Sequence, residues 1–181
     1  MQNQIPGEQP KEPPDPVVNA NASPESHASG IADILASMGQ MRSKARSRLL
    51  ANRGRVLKAL KRLHATSVVV SYSGSGDSGQ IDQVSIYQDK TELKPTKKIS
   101  ILIATSKWNQ ESGWIERVLS KPMPLADALE ALVYDWIESE HAGWENNDGA
   151  SGECTIEVAE DKFLLNHTTY YTESESMEHS L

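Results

Sequence analysis

Two stretches of this chain concentrate residues able to do chemistry. Gly143-Trp144-Glu145-Asn146-Asn147-Asp148-Gly149-Ala150-Ser151-Gly152-Glu153 sets carboxylates and amides among glycines, and Tyr72-Ser73-Gly74-Ser75-Gly76-Asp77-Ser78-Gly79-Gln80, with Asp82 just beyond, does the same. Hard cations take oxygen ligands from loops that can fold around them. Asp77, Asp82, Glu145, Asp148 and Glu153 would therefore suit Ca²⁺ or Mg²⁺ in a metal-dependent enzyme such as a hydrolase, with Asp77, Asp148 and Glu153 the first candidates as ligands. The spacing departs from the calcium-loop pattern, which would need an acid at Trp144 and a glutamate at Thr155. No cofactor is assigned from the sequence on that ground. A second reading makes both stretches ordinary turns, in which Asn146, Asn147 and Asp148 cap backbone amides and the glycines take positive φ. A third makes them a binding surface for a partner protein, with Trp144, a large aromatic in a polar turn, as its anchor.

The remaining constellations are weaker. The segment before Ile81 lacks the Gly-Lys-Ser/Thr ending of a phosphate cradle and leads into a strand, where an anion site would want a helix amino end. Glu138 and His141 have the spacing of half a di-iron motif, but such a site needs a second pair and further glutamates. His141 reads instead as a helix-end residue meeting the C-terminal dipole. Cys154 alternates with Ile156 and Val158 and reads as core. His167 has no serine or cysteine elbow to serve, so no complete catalytic motif is present and enzyme activity stays open.

Charge is unevenly spread. The net charge is −7, yet Arg42, Lys44, Arg46, Arg48, Arg53, Arg55, Lys58, Lys61 and Arg62 fall within one stretch that contains no acid. Arg42, Lys44, Arg46, Arg48, Arg53 and Arg55 are the candidates for salt-dependent, sequence-nonspecific nucleic-acid binding. The alternatives are a solvated face, or a helix docked on a partner's acidic surface or on this chain's own acidic half, where Lys162 is the only cation among the many acids between Leu125 and Leu181. The overall acidity argues against a dedicated DNA binder.

These residues need elements to hold them. With 181 residues and 38% hydrophobic content, the chain has room for one core plus a tail. Residues 1–29 hold six of the nine prolines (Pro6, Pro10, Pro13, Pro14, Pro16 and Pro24) and are expected to be a disordered tail. Residues 30–65 read as a basic amphipathic helical region, 66–172 as an α+β core and 173–181 as an acidic tail. One cysteine, no secretory pattern and no apolar run of membrane length give the expectation of a soluble, cytoplasmic protein with no membrane association.

Helical spacing through Met41, Ala45, Leu49, Val56, Leu60 and Leu63 predicts a helix over 41–64, with Gly39 ahead of it and Gly54 as its weak point. Val68–Tyr72 and Ile81–Tyr87 then read as a hairpin with a mobile glycine-rich tip, and Ile99–Ala104, the most apolar run, as the central strand. Trp114, Ile115, Val118 and Leu119 have helical spacing in a segment that Pro122 and Pro124 cut short. Leu125–Glu140 predicts the second helix, closed by Gly143. Two further strands follow, Cys154–Val158 and Lys162–Tyr171. The expected fold is α+β, a largely antiparallel five-stranded sheet with two main helices, in the order helix, three strands, helix, two strands.

Tyr72-Ser-Gly-Ser-Gly-Asp-Ser-Gly-Gln-Ile81, Asp127-Ala-Leu-Glu-Ala-Leu-Val-Tyr-Asp-Trp136 and His141-Ala-Gly-Trp-Glu-Asn-Asn-Asp-Gly-Ala-Ser-Gly-Glu153, with Asn166-His167 and Tyr171-Thr172-Glu173, resemble an uncharacterised bacterial family, a domain of unknown function. The likeness covers about residues 66–178, with Ala142 where glycine is expected. It implies a bacterial or mobile-element origin and a shared signature in the two loops, and carries no activity, ligand or catalytic residue with it. The function expected on these grounds is a non-catalytic binding or regulatory module whose acidic two-loop site engages a partner protein.

Overall fold

The structure is a computed structural model that describes residues 24–111 and 113–181. Most of the expected tail lies outside the described residues. By its internal packing the chain divides after Gly39, and the larger unit is Gln40–Leu181.

Helix α1 runs from Pro24 to Arg62, straight through Gly39 and Gly54. It thus starts inside the stretch read as tail and ignores the expected breaks. Neither glycine has a heavy atom within 4 Å of the place where a Cβ would sit, so both stand on open faces where the missing side chain leaves no gap. Val56, Leu57 and Leu60 of α1 are buried in the core, while Ile31, Ile34, Leu35 and Met38 of the same stripe are exposed. Helix α2 spans Leu125–Glu140 and buries Leu125, Ala128, Leu129, Leu132, Val133 and Ile137. That three-four spacing is the apolar stripe of an amphipathic helix, with Ile137 fully buried and Trp136 half-buried.

Among the described residues there are six strands, where one sheet of five is expected: β1 (Ser67–Gln88), β2 (Thr91–Leu93), β3 (Lys98–Asn109), β4 (Gly113–Pro124), β5 (Asn146–Glu157) and β6 (Lys162–Thr169). They form two antiparallel sheets, β2-β1-β5-β6 and β3-β4. A fully extended strand of β1's length would reach about 70 Å. Instead its ends meet, since the Thr66 amide donates to the carbonyl of Tyr87 at 2.7 Å and Ser73 Oγ donates to Asp82 Oδ1 at 3.0 Å. β1 therefore doubles back on itself, with Gly76 at φ 74° in the reversal. The expected hairpin is present, but its glycine-rich tip is drawn into the sheet, with Gly76 opposite Asn147 and Asp77 opposite Asn146 on β5.

Two expectations change. Ile99–Ala104 is not a central strand; it belongs to β3, which among the described residues pairs only with β4. The helical spacing at 114–119 is also overruled, because β4 pairs with β3 along its whole length, from Lys98↔Pro124 to Asn109↔Gly113. Pro122 and Pro124 are tolerated because β4 is an edge strand, where a missing N–H can face outward. The base of this ribbon is tied to α1 by Asn52, which is 1% exposed. Its side-chain amide donates to the Leu102 carbonyl at 2.8 Å and accepts from the Leu102 amide at 2.7 Å, imitating a third strand. Ile101 fills the core beside it, and from Thr105 to Asn109 every residue of β3 is exposed.

Candidate functional site

The two signature segments lie against each other because the middle of β1, where it reverses, pairs with the start of β5. Their geometry rests on Trp144, which is only 4% exposed. Its ring lies where side chains would stand on Gly74 and Gly79: a Cβ on Gly74 would come within 2.7 Å of Trp144 Cζ3, and one on Gly79 would overlap the ring. Tyr72 meets it edge-on at 5.3 Å between ring centroids and Tyr134 at 6.0 Å. The indole N–H donates to Glu138 Oε1 at 3.2 Å. Trp144 is thus unavailable as an exposed anchor. It is the block on which the Gly74 and Gly79 arms of the β1 reversal are laid, and these two glycines are there to admit it.

The acids do not converge. Asp77, Asn146, Asn147 and Asp148 are exposed along one edge, whereas Asp82 accepts hydrogen bonds from Ser73 and Gln80. Glu153 is opposite Ser71, six residues from Asp77 along β1 and so about 20 Å away in extended chain. It accepts a hydrogen bond from Thr155 Oγ1 at 3.2 Å. Glu145 turns inward, with its Oε2 buried and without a hydrogen-bond partner among the described residues. Burial raises the Glu138 carboxyl above its ordinary range, and the nearby Glu145 charge adds to this. Among the described residues no three His, Cys, Asp or Glu side chains are grouped so as to hold a metal ion, so the proposed ligand set Asp77, Asp148 and Glu153 is not assembled.

A cluster that the sequence did not join lies next to Trp144. Tyr72, Gly152 and His167 stand in one row across β1, β5 and β6. Since Gly152 has no side chain, Tyr72 reaches across it and its hydroxyl lies 2.8 Å from Nδ1 of His167. The imidazole of His141, at the end of α2, stacks on His167 at 3.8 Å between centroids. Burial, then the Cys154 neighbour, pushes the Tyr72 phenol up to about 12, and burial followed by Glu153 pushes the Cys154 thiol up to about 12. A buried thiol held protonated is a poor nucleophile and a poor metal ligand.

Four of the nine cations of the basic helix are engaged within the chain. Arg48 bridges Glu116 at 3.6 Å and Asp135 at 3.4 Å, and Lys61 pairs with Asp161. Arg53 lies 4.6 Å above the Phe163 ring and donates to the Asp161 carbonyl, while Arg55 donates to the Ser100 carbonyl at 3.0 Å. Of the nucleic-acid candidates, Arg48, Arg53 and Arg55 are therefore engaged internally. Arg42, Lys44 and Arg46 are exposed.

The outer half of the β3-β4 ribbon offers what Trp144 does not. Trp108 and Trp114 are cross-strand partners, 58% and 70% exposed, with their rings edge-to-face at 5.6 Å. Val118 and Leu119 on β4 are 50% and 53% exposed. Sequence reasoning passed over these residues because it treated their segment as a broken helix.

A family model described as a family of unknown function matches residues 49–181, which extends the likeness into the second half of α1. No curated protein and no solved structure matches the chain.

Proposed function

The chain belongs to that family, DUF6878, and we propose that it is a non-catalytic binding module that captures a partner protein with the outer end of the β3-β4 ribbon. The observation that carries this reading is the pair Trp108 and Trp114, both more than half exposed at the end of a ribbon about 40 Å long. Paired indoles on a projecting ribbon provide a large, rigid apolar contact with little side-chain entropy to lose, the composition typical of interface hot spots. Aromatic contact also helps hold the two strands together, so the pair has a structural role in the free protein as well. The ribbon base is fixed by Asn52 and Ile101, which makes the module stiff where it joins the core.

A second contact surface is the edge formed by Asp77, Asn146, Asn147 and Asp148. Its support is the direct opposition of Asp77 and Asn146 in the β1-β5 register, which fixes the acids without any internal salt bridge among the described residues. The two surfaces separate in a pull-down from native host lysate. The W108A/W114A and D77K/D148K variants are compared with wild type, and circular dichroism checks that each is folded. Loss of capture in the tryptophan variant alone supports the ribbon, loss in the aspartate variant alone supports the acidic edge, and undiminished capture by both rejects the proposal.

A further inference from the structure

A cleft of about 280 Å³ opens between the last turns of α1, the start of β3 and the beginning of α2. Arg55, Lys58 and Arg62 line one wall and Lys97 and Lys98 the other, over an apolar floor that includes Leu63, Ile99 and Leu125, and among the described residues no carboxylate borders it. On α1 the three cations fall at i, i+3 and i+7, which places them on one face over about 10 Å. Elsewhere on this helix Arg48 and Lys61 have acidic partners, whereas Lys58, Arg62, Lys97 and Lys98 form no ion pair among the described residues. Five like charges around one hollow repel one another, and in a chain of net charge −7 a bound anion would relieve that repulsion.

We infer that this cleft binds a small organic ligand carrying two or three linked phosphates. The phosphates lie between the Arg55-Lys58-Arg62 row and Lys97-Lys98, and the less polar part of the ligand rests on the leucine and isoleucine floor. A small ligand suits the cleft better than a nucleic-acid strand does. The volume is close to the lower end of small-molecule pockets, among the described residues no aromatic side chain lines it to stack bases, and the acidic C-terminal half repels a long polyanion. This inference is independent of the ribbon, so W108A/W114A keeps it intact.

Titration calorimetry on the full chain tests it, with sodium tripolyphosphate, ATP and a single-stranded oligothymidylate as probes at about 50 mM and about 300 mM NaCl. Tripolyphosphate and ATP are expected to bind and compete for one site, more weakly at the higher salt. K58E/R62E should weaken both by about tenfold or more, since each lost charge-assisted hydrogen bond is worth at least that factor. K97Q/K98Q, on the opposite wall, should weaken them as well, which protects the test against a folding defect in α1. Absence of binding by both small phosphates at low salt overturns the inference. So does unchanged affinity in both variants, or oligothymidylate binding that tripolyphosphate fails to displace.

Discussion

The hydroxyl of Tyr72 lies 2.8 Å from Nδ1 of His167, and the backbone between them is that of Gly152. Three adjacent strands are locked by a side chain at each edge and by the lack of one in the middle. The Gly152→Ala variant would force a methyl group into the Tyr72 ring and the Asn166 carbonyl. It should destabilise the domain by about 1–3 kcal/mol in urea unfolding, the usual cost of overpacking. Tyr72→Phe should cost only about 1 kcal/mol, because it removes the hydroxyl's bond to His167 and its long contact with the Asn166 carbonyl but keeps the ring. A Gly152→Ala protein as stable as wild type would contradict this geometry.

The same pair sets a pH response. Burial, followed by the adjacent His141 ring, lowers the His167 pKa below its ordinary 6.5. Between that value and the lowered one, the unfolded chain binds more protons than the fold. The contribution of His167 to stability therefore falls as pH drops through this window and levels off below it. The urea midpoint of wild type should fall more steeply below pH 6.5 than that of His167→Gln, and parallel curves would refute the assignment. Glu138 acts with the opposite sign at lower pH. Its carboxyl is raised above 4.5, so the fold holds that proton more tightly and this group adds stability as pH falls toward 4.5.

Trp144 is the block beneath Gly74 and Gly79, the two arms of the β1 reversal, and removing it should have large consequences. Trp144→Ala should cost about 3–5 kcal/mol, the range for truncating a buried aromatic. Gly79→Ala should also destabilise, since its methyl has no room beside the ring. Equal stability of Trp144→Ala and wild type would return this residue to the surface role read from the sequence.

Gly54 should behave oppositely to Gly152 and Gly79. It lies inside α1 at a place where a Cβ meets nothing within 4 Å. Gly54→Ala should stabilise the protein by about 1 kcal/mol through helix propensity alone, measured as a higher urea midpoint. A lower midpoint would mean that the glycine is needed by something that the described residues do not include.

Where one side of an element is buried and the other is not, the sequence already shows its structure. Leu125–Glu140 and Cys154–Val158 are of this kind, and the return of β1 is marked by its glycines. The β3-β4 ribbon hides itself for the opposite reason. Its outer half has both faces in solvent, so the two-residue alternation is absent and Trp114, Ile115, Val118 and Leu119 fall by chance at helical spacing. Trp144 misleads because a polar turn in sequence is a buried turn in space. The signal that would have corrected it is the pair Gly74 and Gly79, a gap large enough to hold an indole. Asn52 gave a comparable hint, as one amide within an apolar helical stripe. The acids of the two loops share an edge in the register of β1 and β5, but Glu153 is carried away from Asp77 by the extended chain between them, a separation that composition alone does not reveal.

The central claim is that the Trp108 and Trp114 end of the ribbon is where a partner docks. Hydrogen-exchange mass spectrometry of the captured complex against the free protein tests it most directly. The account predicts new protection in β3 from Thr105 to Asn109 and in β4 from Gly113 to Leu119. Protection confined to the Asp77 and Asp148 edge or to α1, with the ribbon exchanging as fast as in the free protein, would contradict it.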